Sequence, residues 1–224
     1  VDCVSDGENV IIAGLMEHME EAGIHSGDSS CVIPPLAIED EIAEEIKRHT
    51  IRIAKQLRVV GMMNAQFAIK DNRIYCFEVN PRASRTVPYV SKATGVQWIK
   101  LATRAVMGEK LDMALYGELI IPDYMSVKAP VFPFDKFPGV DSILGPEMRS
   151  TGEVMGIGET FDEAFIKAQL GAGYRLPRGT HIFISVANRY KRKVIFPVKA
   201  LCDMGYKIVA TPGMAKVLRS HGVA

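Results

Sequence analysis

Alternating apolar and polar stretches in the first part of the chain predict two hairpins joined by a helix. Apolar runs flank the polar stretch Asp6-Gly7-Glu8-Asn9, which is typical of a turn between two strands. Isoleucine and leucine recur at helical spacing from Ile38 to Leu57, with acidic residues early and basic residues late. The predicted elements are strands over 1–5 and 10–16, a helix over 38–57, and strands over 62–69 and 74–79.

The middle of the chain is predicted to contain two short helices, two strands and a further helix. Gly95 interrupts a helical pattern, and Pro130 and Pro133 weaken a strand pattern because proline has no N–H to donate. The stretch Thr160-Phe161-Asp162-Glu163 fits a capping box that opens a helix. The predicted elements are helices over 88–95 and 97–107, strands over 125–134 and 151–158, and a helix over 162–170.

The pattern changes after the stretches Gly171-Ala172-Gly173 and Pro177-Arg178-Gly179, which predict a linker. The order β-α-β that follows is typical of the start of a doubly wound domain, although two strands are too few to complete its sheet. We therefore predict an α/β protein in two parts, residues 1–172 and 178–224. The elements predicted beyond the linker are a strand over 181–186, a helix over 194–204, a strand over 206–210 and a helix over 214–221.

Composition and charge argue against two classes of partner. The 224 residues are 48% hydrophobic and 24% charged, with a formal net charge of +1, so we expect neither nucleic acid nor a membrane surface as a partner. An apolar run of about 18 residues, as a membrane span requires, is absent from the sequence. We expect no signal peptide, and because no initiator Met precedes the first predicted strand we expect a fragment of a longer chain.

The cysteines are scattered and form no C-x-x-C motif. They are Cys3, Cys31, Cys76 and Cys202. This spacing is typical of reduced thiols and predicts a cytoplasmic protein without a disulfide framework or a zinc site. Cys76 falls in a predicted strand, and we expect it to be buried.

The stretch from Phe77 to Thr86 carries the strongest chemical signal in the chain. Glu78 and Asn80 lie two residues apart on a predicted strand and therefore project to the same face. Pro81 ends the strand pairing, and Arg82 and Arg85 follow in a loop. Hard cations bind carboxylate and amide oxygens together with phosphate oxygens, and arginines hold phosphates in a fork. The stretch predicts a site for a metal ion, a nucleotide and a phosphate; the alternative is a strand end with solvated charges.

The length of the loop between the strands of the second hairpin decides whether Gln66 joins Glu78. A two-residue loop, Asp71-Asn72, would pair Gln66 with Phe77 instead. A three-residue loop over 71–73, with Asn72 in the left-handed conformation, pairs Gln66 with Glu78, and we favour it. The apolar back face is then predicted to consist of Ala65, Phe67, Ile69, Tyr75, Phe77 and Val79.

Two further stretches are weaker candidates for binding anions. The small residues around Gly23, Ile24, His25 and Ser26 would let backbone N–H groups approach a phosphate or a ribose, although a plain surface turn has the same composition. Thr211-Pro212-Gly213 lies between a predicted strand and helix, where α/β sheets bind phosphate. Lys191 and Lys193 would assist there, and the alternative is an ordinary strand–helix turn.

Several stretches together resemble the large subunits of carbamoyl phosphate synthetases. They are E-V-N-P-R-A-S-R-T from Glu78, N-A-Q-F from Asn64, V-S-K-A-T-G-V from Val90 and G-P-E-M-R-S-T-G-E-V-M-G from Gly145. The resemblance implies that residues 1–172 are the C-terminal part of the second ATP-grasp unit. It implies that residues 178–224 begin a methylglyoxal-synthase-like regulatory domain.

The resemblance also implies roles for particular residues. The ligands of Mg²⁺ or Mn²⁺ would be Gln66, Glu78 and Asn80, and the arginines near the transferred phosphate would be Arg82 and Arg85. The residues that contact ATP would be Gly23, Ile24, His25, Ser26, Gln66 and Glu78. A nucleotide effector would contact Lys191 and Thr211. Met214 stands where the family has a hydroxyl residue, which would weaken binding of the effector's phosphate.

The implied reaction is the attack of a carbamate oxygen on the γ-phosphate of ATP, in the pathways to arginine and pyrimidines. The implied partners are the glutaminase small subunit and the remainder of the large subunit, and we expect this chain alone to have little or no activity. Two alternatives stay open. One is another ATP-grasp ligase, such as a biotin-carboxylase-like enzyme, and the other is a non-catalytic module for effector binding or assembly.

Overall fold

The computed structural model describes residues 1–137, 139–175 and 179–223. The chain divides into two compact units, Val1–Tyr174 and Arg175–Ala224, and each is described by itself. Pro177 and Arg178 of the predicted linker lie outside the described residues. None of the helices in the described ranges has the length and apolar character that a membrane span requires.

The first unit is a mixed α/β structure, and most of its helices and strands begin and end close to the predicted residues. Its strands are β1 (Asp2–Asp6), β2 (Val10–Gly14), β3 (Glu17–His18), β4 (Cys31–Ile33), β5 (Val60–Lys70), β6 (Arg73–Asn80), β7 (Met125–Val131) and β8 (Gly152–Gly158). Its helices are α1 (Asp40–Gln56), α2 (Val87–Thr94), α3 (Trp98–Val106), α4 (Met113–Tyr116) and α5 (Phe161–Gly171), with a 3₁₀ turn over Phe134–Lys136. The sequence analysis missed the short elements β3, β4 and α4.

The strands of the first unit form two antiparallel sheets with the orders β2-β1-β5-β6 and β3-β4-β7-β8. Helix α1 covers one face of the first sheet, where Ile46 packs with Cys3 and Met63. Helices α2 and α3 cover the opposite face through a core around Trp98 and Val90. Helix α5 packs on the second sheet. Alternate residues of β1 and β5 therefore enter different cores.

The second hairpin has a two-residue loop, so the prediction of a three-residue loop was wrong. Asp71 and Asn72 both have left-handed backbone conformations, with φ of 51° and 56°, and Lys70 pairs with Arg73. Two-residue loops of this kind match the twist of the flanking strands, and aspartate and asparagine tolerate them. The predicted pairing of Gln66 with Glu78 is nevertheless confirmed.

A β-bulge reconciles the short loop with this pairing. Phe67 pairs with Cys76 while Gln66 pairs with Glu78, so Phe77 is the extra residue on β6. A bulge inserts one unpaired residue and shifts the register of everything beyond it by one. Beyond the bulge, Glu78 and Asn80 therefore lie on the face of the sheet that a three-residue loop would have given them.

The bulge and the edge position of β6 correct three predictions about burial. Tyr75 and Phe77 were expected on the apolar back face, but these residues are 49% and 51% exposed. Ile74 instead packs on the core beside α1. Cys76 was expected to be buried and is exposed, because β6 is the last strand in the order of its sheet.

The predicted cap at Thr160 is confirmed with one difference in detail, and α5 begins at Phe161, one residue before the predicted start. The Thr160 hydroxyl accepts the N–H of Glu163 at 3.3 Å, as an N-cap does. The Glu163 carboxylate accepts the N–H of Glu159 at 3.0 Å, one residue before the partner that a capping box would use. The two contacts together fix the point at which β8 turns into α5.

The second unit has the predicted β-α-β order. Its elements are β9 (His181–Ile184), a 3₁₀ turn over Asn188–Tyr190, α6 (Ile195–Asp203), β10 (Lys207–Ala210) and α7 (Pro212–Ser220). Strands β9 and β10 pair in parallel. Ile195, Val198, Met214 and Leu218 form the core between the two helices and this strand pair.

We predict that Gly156→Ala destabilises the first unit by about 3 kcal/mol, because a methyl group at this position would overlap the backbone of α5. An added Cβ would lie 2.0 Å from the carbonyl oxygen of Ala164 and 2.5 Å from the N–H nitrogen of Ala168. Gly152→Ala on the same strand is the control, since its nearest neighbour would be 3.9 Å away. Urea unfolding followed by circular dichroism checks the pair. Equal midpoints for both variants would contradict the close packing of α5 on β8.

Candidate functional site

A carboxylate lies between two amides at the far end of the second hairpin. The Gln66 amide nitrogen donates to one oxygen of Glu78 at 3.0 Å, and the Asn80 amide nitrogen donates to the other at 2.8 Å. Gln66 is brought there by the bulge, whereas Asn80 follows Glu78 by two residues on the same strand. The three side chains thus share one face, as the sequence analysis predicted.

The chemistry of this trio fits a hard cation that is also bound by phosphate. One carboxylate and two amide groups offer oxygen ligands of the kind that Mg²⁺ and Mn²⁺ prefer. Each amide now directs its nitrogen to Glu78 and would turn its oxygen toward a cation. Within the described ranges no group of three or more His, Cys, Asp and Glu side chains is placed to hold a metal by itself. A cation at this trio therefore depends on phosphate oxygens to complete its shell.

The two candidate arginines lie in different surroundings. The backbone N–H of Arg82 donates to the carbonyl oxygen of Asn80 at 2.8 Å, and its exposed guanidinium donates to the carbonyl oxygen of Ala83 at 3.0 Å. Arg85 lies in the electrostatic field of Glu153 on β8. Burial raises the pKa of the Glu153 carboxyl, and the positive charges of Lys128 and Arg85 oppose this rise. The sequence analysis did not identify Glu153.

The loop around Gly23–Ser26 is fastened by a buried lysine that the sequence analysis missed. Lys128 on β7 is fully buried, and its ammonium donates to the carbonyl oxygens of Ser26 at 3.2 Å and Gly27 at 3.3 Å. A buried charge is costly unless polar groups compensate it, so these contacts constrain the loop. The signal available in the sequence was a lysine between Val127 and Ala129 in a mostly apolar strand.

A buried carboxylate fastens the residues that directly follow this loop. The Asp28 carboxylate accepts the backbone N–H groups of Arg149 and Ser150, both at 2.8 Å. Burial opposes ionisation of Asp28, but the hydrogen bonds from Ser150 and Arg149 outweigh it and hold the pKa below its usual range. The backbone N–H of His25 also donates to the carbonyl oxygen of Gly145 at 2.9 Å. The loop is therefore an anchored structure, unlike a plain surface turn.

A cavity of about 410 Å³ brings part of the loop and part of the hairpin together. Ile24 and Ser26 line it from the loop, and Gln66 and Phe67 line it from β5. This volume is within the range of small-molecule sites. His18 also lines the cavity, and burial lowers the pKa of its imidazole to about 3, which leaves it neutral at physiological pH.

The remaining predicted site residues of the first unit lie outside the described lining of this cavity. They are Gly23, His25, Glu78, Asn80, Arg82 and Arg85. Glu78 reaches it only through its hydrogen bond to Gln66. The predicted metal ligands thus form one group, and the cavity joins that group to the loop.

In the second unit, Lys191 approaches the start of α7. Its ammonium nitrogen lies 2.8 Å from the point where a Cβ of residue 213 would be, so the ammonium lies close to the backbone of Gly213. Thr211 is the residue that precedes the helix. Met214 is fully buried in the core of this unit and offers no polar group to a ligand.

Comparisons with known proteins relate the chain to one enzyme family. The family model described as "Carbamoyl-phosphate synthase L chain, ATP binding domain" matches residues 1–114. The carbamoyl phosphate synthase large chain of Pasteurella multocida (strain Pm70) is 55% identical over 225 residues, which cover 100% of this chain and 21% of that protein. The one from Neisseria meningitidis serogroup A is 55% identical over 223 residues with the same coverage. The chain thus spans about a fifth of the length of these relatives.

Solved structures resemble the chain at much lower identity. The biotin carboxylase subunit of pyruvate carboxylase matches with a TM-score of 0.57 and 16% identity over 75% of this chain and 43% of that one. The urea amidolyase of K. lactis matches with a TM-score of 0.58 and 14% identity over 75% of this chain and 12% of that one. Such likeness concerns the fold alone, and it confirms the predicted α/β class.

We predict that Asp28→Asn lowers the free energy of unfolding by about 1–3 kcal/mol, because the two backbone N–H groups bond different oxygens of Asp28 and an amide has an NH₂ group in place of one of them. Asp141→Asn is the matched control, since Asp141 accepts an N–H in an exposed turn. Urea titrations at neutral pH measure the difference, and equal effects of the two substitutions would contradict the anchoring role.

The difference between wild type and Asp28→Asn also depends on pH. Because the folded pKa of Asp28 is depressed, its stabilisation is present above about pH 4, the ordinary value, and is lost as the pH falls through the lower folded value.

Proposed function

Because this chain belongs to the carbamoyl-phosphate synthase large-chain family, we propose that Val1–Tyr174 forms part of an ATP-grasp ligase site that phosphorylates carbamate. The observation that carries this proposal is the carboxylate of Glu78 held between the amides of Gln66 and Asn80. The product would be carbamoyl phosphate for arginine and pyrimidine biosynthesis. Since the chain spans about a fifth of its relatives, the activity is proposed for an assembly with the remainder of the large chain.

The proposed residues divide into those that hold the cation and those that hold phosphate. Gln66, Glu78 and Asn80 would bind Mg²⁺ or Mn²⁺, which neutralises charge on the phosphates of ATP. Arg82 and Arg85 would donate to oxygens of the phosphoryl group as it transfers, which stabilises its charge. A carbamate oxygen forms a bond to the γ-phosphorus as the bond to ADP breaks. No side chain needs to act as a covalent nucleophile.

The loop of Gly23, Ile24, His25 and Ser26 is proposed to contact the nucleotide. Support comes from the cavity, which Ile24 and Ser26 share with Gln66, and from the buried anchors that fix the loop. An anchored loop presents its backbone groups to a ligand without an ordering cost at the time of binding. Gly23 and His25 would contribute backbone groups beside the cavity.

A biotin-carboxylase-like ligase is the main alternative chemistry. The likeness to biotin carboxylase structures is one of fold, at 16% identity, whereas the large-chain relatives share 55% identity over the whole chain. Formation of ADP that depends on carbamate, and not on biotin, separates the two. A non-catalytic effector or assembly module would bind a nucleoside monophosphate without binding Mg-ATP.

We also propose that the second unit binds a nucleotide effector through Lys191 and Thr211. The position of the Lys191 ammonium at the start of α7 supports this, because helix N-termini attract phosphate. Buried Met214 would make this binding weaker than in a protein with a hydroxyl there.

The proposed partners also include a glutaminase small subunit. A cytoplasmic location is in keeping with the free cysteines Cys3, Cys31, Cys76 and Cys202.

We predict that Glu78→Gln lowers the rate of ATP formation from MgADP and carbamoyl phosphate by about a hundredfold or more, because the site loses its anionic ligand. The assay uses the complete large chain that contains this sequence. Glu41→Gln on the exposed start of α1 is the control and should retain the wild-type rate. A Glu78→Gln enzyme with an unchanged rate at saturating Mg²⁺ would rule out this site.

We predict that Lys191→Met weakens binding of nucleoside monophosphates about tenfold, the usual effect of losing one charge-assisted hydrogen bond. Calorimetric titration with purine and pyrimidine monophosphates, and with inorganic phosphate, measures it in the complete large chain. Lys199→Met on α6 is the matched control and should bind as wild type does. Equal affinities of the two variants would remove the second unit from the proposal.

A further inference from the structure

Asp2, the first residue of strand β1, has a fully buried carboxylate that the proposed chemistry does not use. Asp2 lies directly opposite Asn64 on β5, and Asn64 lies opposite Asn80 on β6. These side chains form a row across the sheet, and the neighbouring row holds Gln66 and Glu78. Asp2 therefore belongs to the face of the sheet that carries the proposed cation ligands.

The hydrogen bonds of Asp2 lead to the loop that carries the two arginines. One carboxylate oxygen accepts the Ser84 hydroxyl at 2.8 Å, and the other accepts the Thr86 hydroxyl at 2.6 Å. The Asn64 amide donates to the first oxygen at 2.9 Å. Ser84 and Thr86 are the neighbours of Arg85 on either side. The backbone of Arg85 is thus held between two side chains that bind the same carboxylate.

Further contacts tighten this part of the loop. The Ser84 and Thr86 hydroxyls lie 2.7 Å apart, and the Thr86 N–H donates to the Ser84 hydroxyl at 3.2 Å. Thr86 is buried and immediately precedes α2. The segment Ser84–Thr86 is therefore tied to one buried carboxylate, that of Asp2 on β1.

The physical chemistry of a buried carboxylate makes this dependence strong. A carboxylate out of water is costly unless donors surround it, and hydrogen bonds to a charged acceptor are shorter and stronger than neutral ones. Asn64, Ser84 and Thr86 are all neutral, so they stabilise the charge by their geometry. An apolar residue at position 2 would fill the same space and leave the loop without its acceptor.

We propose that Asp2 is a positioning residue that clamps the Arg82–Thr86 loop and so directs Arg85 to the phosphate that is transferred. The role of Arg85 rests on the proposed function, whereas the clamp itself concerns the loop alone. The two parts are therefore tested by separate measurements.

The clamp is tested on this chain by limited digestion with trypsin, which cleaves after arginine. Asp2→Asn removes the charge, and the double variant Ser84→Ala/Thr86→Val removes the hydroxyl donors while keeping Asp2. We expect either change to raise the rate of cleavage after Arg82 and Arg85 at least tenfold, with no change after Arg58 at the end of α1. Thr50→Val is the control, because its buried hydroxyl bonds only within α1, to Ile46.

Two results of the digestion would overturn the clamp. One is an unchanged rate of cleavage at Arg82 and Arg85 in both variants. The other is an equal rise at all three arginines, which would show that the variants unfold as a whole. If Asp2→Asn unfolds, the double variant decides, since it leaves the carboxylate in place.

The effect on chemistry is tested in the complete large chain by ATP formation from MgADP and carbamoyl phosphate. We expect the double variant to lower kcat about tenfold to a hundredfold, because a displaced catalytic group loses orientation, while KM for MgADP changes less than threefold. Thr50→Val should leave both unchanged. A higher rate of cleavage after Arg82 and Arg85 together with an unchanged kcat would overturn the directing role of Asp2 and leave the proposed function standing. A wild-type chain without ATP formation would instead overturn the proposed function, and the digestion would still judge the clamp.

Discussion

Side chains on two antiparallel strands can act together only when the register places them level on one face of the sheet. In this chain the register of β5 and β6 is set by a two-residue loop and then changed by a bulge at Phe77. The loop alone would turn Glu78 away from Gln66. The bulge restores the pair, and both the proposed cation site and the position of Asn80 opposite Asn64 depend on it.

Buried polar groups fix the loops that surround this hairpin. Lys128 holds the carbonyl oxygens of Ser26 and Gly27, Asp28 holds the segment at Arg149 and Ser150, and Asp2 holds the hydroxyls beside Arg85. In each case polar groups of a loop compensate the cost of burying a charged side chain. If the loop moved, that buried side chain would lose its hydrogen bonds. Sites that act on phosphate depend on such pre-organised positions, because little of their effect comes from covalent chemistry.

The sequence predicted the helices and most strands because their apolar periods are long and regular, as in α1 and β5. It predicted the pair of Gln66 and Glu78 correctly but through a wrong loop, since a bulge leaves no mark in local periodicity. The exposure of Tyr75 and Cys76 was missed for the same reason, together with the edge position of β6. Lys128 and Glu153 were missed because their partners are distant in sequence. The metal and phosphate roles came from residue types and resemblance, and they stay predictions.

A crystal structure of the complete large chain with Mn²⁺ and a non-hydrolysable ATP analogue would test the central claim most directly, since Mn²⁺ is located by its anomalous scattering. We expect an Mn²⁺ ion bound to the Glu78 carboxylate, with the amide oxygens of Gln66 and Asn80 turned toward it and phosphate oxygens completing its shell. An Mn²⁺ ion bound by other side chains, with Gln66 and Asn80 still donating to Glu78, would contradict it.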